Sequence, residues 1–227
     1  MSLHIIENLE QGTPEWHDAR RGMVTASVVG KLITAKTLKP ASNDYSRALT
    51  MQLAAERITG WTDPSYFNAD MARGVEHEPF AREAYAEQTG VEVREVGFMV
   101  RDFDGFQIGF SPDGLVDDDG SIEIKCPRAK GHVTTILSDR VPTQYLAQVQ
   151  TGLLVSGRDW IDYVSFVGGM PLYVKRVTPD PAWFEAITEA ARLAEQAIAE
   201  TVAAYQTTTA GRPLTERVPD PFEEMRI

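Results

Sequence analysis

Apolar positions recur with two different periods along this chain, and the changes of period divide it into elements. Thr13-Pro14 opens a short helix, Thr as cap and Pro in the first turn, which Gly22 closes. Thr25 or Ser27 starts another helical turn through Val28, Val29 and Leu32, and residues 36–42, around Pro40, read as a loop. Leu49, Leu53 and Ile58 recur at helical spacing between Asn43 and Gly60. A second long helical stretch runs from Asn68 to Gly90, where Pro79 predicts a kink or a local break.

The period then drops to two. Residues 91–100, 106–110 and 121–125 are rich in β-formers and are separated by Asp104-Gly105 and by the turn 117–120. They predict successive strands of an antiparallel meander. Helix returns over 143–155 and stops near Gly157; strands 160–167 and 172–177 follow, joined across Gly168-Gly169. After Pro181, Trp183, Ile187, Ala190, Ala194, Ile198, Val202 and Tyr205 form one helical stripe, which suits core or subunit packing better than a ligand site. There is no internal repeat. The pattern predicts an α/β fold, a mixed sheet flanked by helices, as a single domain over residues 1–205 with an extended tail over 206–227 containing Pro213, Pro219 and Pro221.

Composition narrows the setting. With 227 residues, 43% hydrophobic and 24% charged, the chain builds its core without staples. The single cysteine, Cys126, forms no internal disulfide, favours a reducing compartment, and excludes iron–sulfur ligation by four cysteines. No stretch is apolar enough for a membrane span, and the N-terminus lacks the pattern of a signal peptide, so a cytoplasmic location is expected. The net charge of −11 opposes nucleic-acid binding by the molecule as a whole. Charge is uneven, however: residues 15–50 hold six basic residues (Arg20, Arg21, Lys31, Lys36, Lys39, Arg47) against three acidic ones. Lys125, Arg128, Lys130 and His132 form a second basic run, so a locally basic groove on an acidic body is compatible with the sequence.

The chemistry concentrates in Ser111-Pro112-Asp113-Gly114 and in Ile122-Glu123-Ile124-Lys125-Cys126-Pro127. Alternation in a strand sends Ile122 and Ile124 to the core and puts Glu123 and Lys125 together on the opposite, exposed face. Asp113, at the end of the preceding strand, can reach Glu123 through a hairpin. Two converging carboxylates need a positive partner, and oxygen-only ligands favour magnesium or manganese. Lys125 then lies where it can orient or deprotonate an attacking water, as in metal-assisted phosphodiester hydrolysis.

Asp113 with Glu123 and Lys125 resembles the PD-(D/E)xK nuclease motif, and the flanking residues resemble phage lambda exonuclease and its viral recombination relatives. The resemblance runs from Trp16 to Val167 in five places: residues 16–22 with Thr25-Ala26-Ser27, residues 74–78 with Ala81-Arg82, residues 111–114, residues 123–127, and residues 145–150. It implies a restriction-endonuclease-like core in which Asp113 and Glu123 bind Mg2+ (or Mn2+), with the Ile124 carbonyl as a further ligand. It further implies that Glu78 holds the metal or one of its waters, that Lys125 positions the nucleophile, and that Gln148 orients water or Lys125. Arg20 and Ser27 match residues that hold the 5′ end or neighbouring phosphates, whereas a further basic phosphate contact could fall on Lys36, Lys39 or Arg47. The implied activity is 5′→3′ degradation of one strand of linear double-stranded DNA. It would be performed by a homotrimeric ring alongside a single-strand annealing protein in phage-type recombination, in the cytoplasm of a bacterium carrying the phage or prophage.

Each residue also has a plainer role. Glu78 can pair with Arg82 one turn on, Gln148 can belong to a solvated face with Gln144 and Thr151, Arg20 can serve the end of its helix, and Ser27 can be a cap. Ser111 and Pro112 suit a turn, His77 does not share a helical face with Glu78, Cys126 suits a small buried position, and Trp16 and Trp61 suit the core. A repair nuclease of the same fold, a DNA-end-binding module without catalysis, and an acidic α/β protein with a surface ion pair are the alternatives. The intact acid–acid–lysine set argues against the binding module, because binding alone does not require it, and a metal-dependent activity assay on linear DNA separates all three.

Overall fold

The computed structural model describes residues 2–63 and 68–218. Two sheets form its centre. The first has the order β1 (Leu3–Ile6), β6 (Phe98–Asp102), β7 (Gln107–Phe110), β2 (Val24–Thr25), and the second β11 (Tyr173–Val177), β10 (Trp160–Ser165), β9 (Gly120–Lys125), β8 (Gly114–Val116), β5 (Val93–Arg94). A small hairpin, β3 (Ile33–Thr34) with β4 (Lys39–Pro40), occupies part of the expected loop around Pro40. The fold is the mixed α/β arrangement expected, but the single antiparallel meander is not: the chain changes sheet between β5 and β6 and again between β7 and β8. In addition, β10 runs parallel to β9, with Tyr163 opposite Glu123. The reason is burial on both faces. A strand covered by helices on each side reads as a β-rich run whatever its direction, so the sequence does not distinguish a meander from a crossover.

Helices supply those covers. α4 (Ala69–Thr89) packs on β9 and β10 from one side, and α6 (Thr143–Ser156) packs on β10, β6 and β7 from the other. Ile122 and Ile124 meet Ala81 and Tyr85 of α4 in a compact apolar cluster. The larger core gathers Phe110, Val149, Leu153 and Ile161 with Trp183, Ile187, Ala190, Ala194 and Ile198 of α7 (Pro181–Thr209). Val202 packs at its edge, whereas Tyr205 is 44% exposed.

Caps fall where the sequence places them. Thr13 caps α1 (Pro14–Arg20), Asn43 and Ser46 form a reciprocal capping box at α3 (Asp44–Thr59), and Gly60, Gly90 and Gly157 close α3, α4 and α6 in left-handed conformation. Thr25 precedes α2 (Ala26–Val29). α4 continues through Pro79 without interruption; the ring removes one donor, but the helix is held by its neighbours on the sheet. β1 and α5 (Ala129–Ser138) were not expected. α5 contains Gly131 and several β-branched residues, a poor intrinsic helix, and forms around buried His132 and Thr135. The terminal helix reaches Thr209, so the boundary expected at 205 falls inside it. Residues 212–218 carry neither helix nor strand, and the Arg217 guanidinium lies 3.4 Å from the centroid of the Trp61 ring. The rest of the expected tail, with Pro219 and Pro221, lies outside the described residues. Among the described residues no helix is long and apolar enough to cross a membrane.

Candidate active site

The register of β8 against β9 brings the two acids together. Gly114 pairs with Ile122, so Asp113 and Glu123 are the next two residues, one before β8 and one still inside β9. Asp113 lies in the link between β7 and β8, directly before β8, and the β8–β9 hairpin sets it opposite Glu123 as expected. Its Oδ2 accepts the Ile124 N–H at 2.6 Å where the β8 ladder has ended. In a strand, the N–H and C=O of one residue face the same neighbour, so the Ile124 carbonyl also faces the Asp113 side.

Glu123 is 1% exposed, because α6 covers the face expected to be open. Its Oε1 accepts from the Lys125 ammonium at 2.5 Å and from the Gln148 side-chain amide at 2.6 Å. Gln148 therefore reaches Glu123 directly, and Thr151, expected beside it on a wet face, is fully buried. Oε2 of Glu123 is buried without a hydrogen-bond partner among the described residues. Lys125 also lies 5.4 Å from the centroid of the Tyr145 ring, which stacks on Tyr163. Burial alone pulls the Lys125 ammonium down, but the carboxylates of Glu123 and Asp113 outweigh it and hold it above the ordinary lysine value.

Glu78 faces this group from α4. Its carboxylate takes the Arg82 guanidinium at 2.6 Å, so the plainer pairing is present. Burial and then the nearby Asp113 carboxylate nevertheless push its proton affinity up to about 7, against the opposing pull of Arg82 and Lys125. Asp113 is shifted upward in the same way, first by burial and then by Glu123. Carboxylates whose proton affinity is raised by burial and by a neighbouring carboxylate, beside a buried carboxylate oxygen without a hydrogen-bond partner among the described residues, are groups that a divalent ion would satisfy. Among the described residues, no three Asp, Glu, His or Cys side chains stand together so that they could hold a metal ion by themselves. Magnesium takes one or two protein carboxylates and keeps waters for a phosphate to replace. The residues present fit such an ion: Asp113, Glu123 and the Ile124 carbonyl would hold it, with Glu78 beside them.

A second cluster adjoins the first. Arg20 ends α1, and Gly22 (φ +64) turns the chain immediately afterwards. α3 locks this corner: Glu56 accepts the Gly22 N–H at 2.7 Å, and Arg57 donates to the Gly22 carbonyl at 2.7 Å. β2 then pairs in parallel with β7, setting Thr25 and Ser27 beside the start of the 111–113 link. Arg20 donates to Ser27 Oγ at 3.0 Å and to Ser111 Oγ at 3.3 Å, and Trp16 donates to the same Ser111 oxygen at 2.9 Å. The guanidinium sits 3.7 Å from the Trp16 ring centroid. Burial lowers its pKa to about 10, and no carboxylate pairs with it among the described residues. A desolvated guanidinium surrounded by hydroxyls has the donor set to receive an anion. Ser111, expected only as a turn residue, and Trp16, expected in the core, belong to it.

Several basic residues lie elsewhere in the electrostatics. Arg47 pairs with Asp44 on its own helix, Arg128 with Asp70, and His132 is fully buried between Ser165 and the Pro171 carbonyl. His132 thus leaves the basic run. Lys36 and Lys39 are exposed. His77 packs edge-on against Phe166, and Cys126, partly buried, lines the smaller apolar cluster. Arg82 was signalled by its spacing from Glu78 and by its place in the second motif of the resemblance, but neither gave it a role beyond pairing with Glu78.

A mixed sheet covered by helices, with Asp113 and the Glu-x-Lys of β9 at one end, defines the PD-(D/E)xK class of nuclease folds. The family model for the YqaJ-like viral recombinase domain matches residues 15–159, and the chain belongs to that family. It is 33% identical to an alkaline exonuclease (LHK-Exo) from Laribacter hongkongensis, over 87% of this chain and 98% of that one, with a TM-score of 0.77. The same enzyme in complex with dAMP gives 34% identity over the same shares and a TM-score of 0.78. A phage related exonuclease from Haemophilus somnus 129PT, 16% identical over 81% and 96% of the two chains, shares the fold at a TM-score of 0.59. No curated protein sequence is significantly similar. The resemblance read from the five motifs holds at the level of the family.

Proposed function

We propose that this protein is a magnesium-dependent exonuclease that degrades one strand of linear double-stranded DNA in the 5′→3′ direction, in phage-type recombination. One observation carries the reading: the link 111–113 gives Ser111 to the anion receptor and Asp113 to the acid pair, so an end phosphate and a scissile phosphate can be held side by side. The exonuclease activity named for its relatives supports it. Bound Mg2+, or Mn2+ in its place, supplies charge neutralisation at the scissile phosphate and a more acidic water. Asp113 and Glu123 bind that ion, Gln148 and Lys125 fix Glu123 from two sides, and the Lys125 ammonium orients the nucleophile and offsets charge on the phosphate. Arg20, Ser27 and Ser111 hold the 5′-phosphate.

A homotrimeric ring with a positive channel reconciles DNA binding with a net charge of −11, since only the lining must be basic. The DNA it prepares would pass to a single-strand annealing protein in the bacterial cytoplasm. The deciding experiment compares linear duplexes with 5′-phosphate and 5′-hydroxyl ends, and closed circles, with and without magnesium. Rapid, metal-dependent loss of the phosphorylated linear duplex is expected, with slower loss of the hydroxyl form and intact circles. Nicking of circles at a similar rate would point to an endonuclease, and binding of ends without any cleavage to a non-catalytic module.

A further inference from the structure

Arg82 touches three separate segments at once. It donates to Glu78 at 2.6 Å one turn earlier on α4 and to the backbone carbonyl of Asp113 at 2.8 Å, and it lies 3.0 Å from Glu95, between β5 and β6. The Arg82 side chain is 15% exposed, that of Glu95 72%. A helical surface pair explains the first contact but not the second. The carbonyl belongs to the very residue whose carboxylate stands in the acid pair, in a link that belongs to neither sheet. With the Ile124 N–H on its carboxylate and Arg82 on its carbonyl, Asp113 is fixed at both ends. The planar guanidinium does this because its donors diverge at set angles, whereas a lysine offers one compact charge.

We propose that Arg82 is a positioning residue for the divalent cation, clamping Glu78 and the Asp113 link to one another so that both carboxylates are oriented before the ion arrives. The inference rests on the reading of Asp113 and Glu123 as a cation site. Replacing outer partners of this kind weakens metal affinity about 10- to 100-fold.

The test is calorimetric titration of chelator-treated full-length protein with Mn2+, without DNA, for wild type, Arg82→Gln, Arg82→Lys and Glu95→Gln. The Mn2+ dependence of cleavage and the affinity for DNA ends in chelator are measured alongside. Arg82→Gln is expected to weaken Mn2+ binding about 10-fold or more and to raise the half-saturating Mn2+ for cleavage equally. DNA-end affinity should stay unchanged, and excess Mn2+ should recover most of the rate, which a general structural defect would not allow. Arg82→Lys should fall in between, and Glu95→Gln, at an exposed pair, within about twofold of wild type. Wild-type Mn2+ affinity in folded Arg82→Gln, or in Arg82→Lys should the glutamine variant not fold, overturns the inference alone. No Mn2+ binding by the wild type overturns the cation site itself.

Discussion

Lys125 and Glu78 show how single side chains make the site testable. Lys125 is held as an ammonium against Glu123, so its removal subtracts positive charge from the reacting phosphate without touching the Arg20 receptor. Lys125→Ala is expected to slow single-turnover cleavage by about 10²- to 10⁴-fold while leaving DNA-end affinity within reach of wild type. Cleavage at the wild-type rate would remove Lys125 from the mechanism. Glu78 gives a pH signature. Its proton affinity is raised to about 7 by burial and by Asp113, so the folded protein holds a proton that the unfolded chain, near 4, has already released. That contribution is fully present below the unfolded value and is lost as pH rises through about 7. In metal-free protein, Glu78→Gln should therefore gain stability over wild type between pH 5 and pH 8, an interval of roughly three units around the cited shift. Melting temperatures of the two proteins across that range check it, and a difference that stays flat would refute the shift. Added Mn2+ should narrow the gap above neutrality by stabilising the wild type.

α6 is the element that turns a core into a site, since one face packs into the larger core while Gln148 and Tyr145 reach Glu123 and Lys125. Its close approach depends on Gly152, where a Cβ would meet Phe110 at 2.7 Å and Ile161 at 2.8 Å. Gly152→Ala brings about 1 kcal/mol of helix propensity but overpacks a buried contact, a cost of about 1–3 kcal/mol. We expect a net loss of about 1 kcal/mol in urea unfolding and a fall in kcat as Gln148 moves off Glu123; a stabilised, fully active variant would contradict that packing. The helices were legible in the sequence because their ends carry local chemistry: Asn43, Asn68, Gly60, Gly90 and Gly157 act within a turn of themselves. α5 was not, because its reason to exist is the burial of His132 against β10, a contact across 33 positions. β5 and β6 merged into one expected strand because Val96, between them, is as apolar as its neighbours.

At the scale of the molecule, the acid–acid–lysine set was readable because Glu123 and Lys125 alternate on one strand and Asp113 lies a turn away. The Arg20 receptor was only half readable, since parallel pairing of β2 with β7 recruits Ser111 from 91 positions away. The chain passes from one sheet to the other through residues 111–113, with the Gln11 amide holding the Pro112 carbonyl at 3.0 Å. That passage has the properties of a ruler. Two residues of chain span at most about 7 Å, close to the length of one nucleotide, and both marks, Ser111 and Asp113, are anchored by hydrogen bonds on that one link. Under the proposed function, the length of this link would set product size, and successive cuts should liberate mononucleotides. A single glycine inserted after Pro112 should lengthen the fragments or abolish cutting, whereas unaltered mononucleotides from such a variant would show that the measure is taken elsewhere.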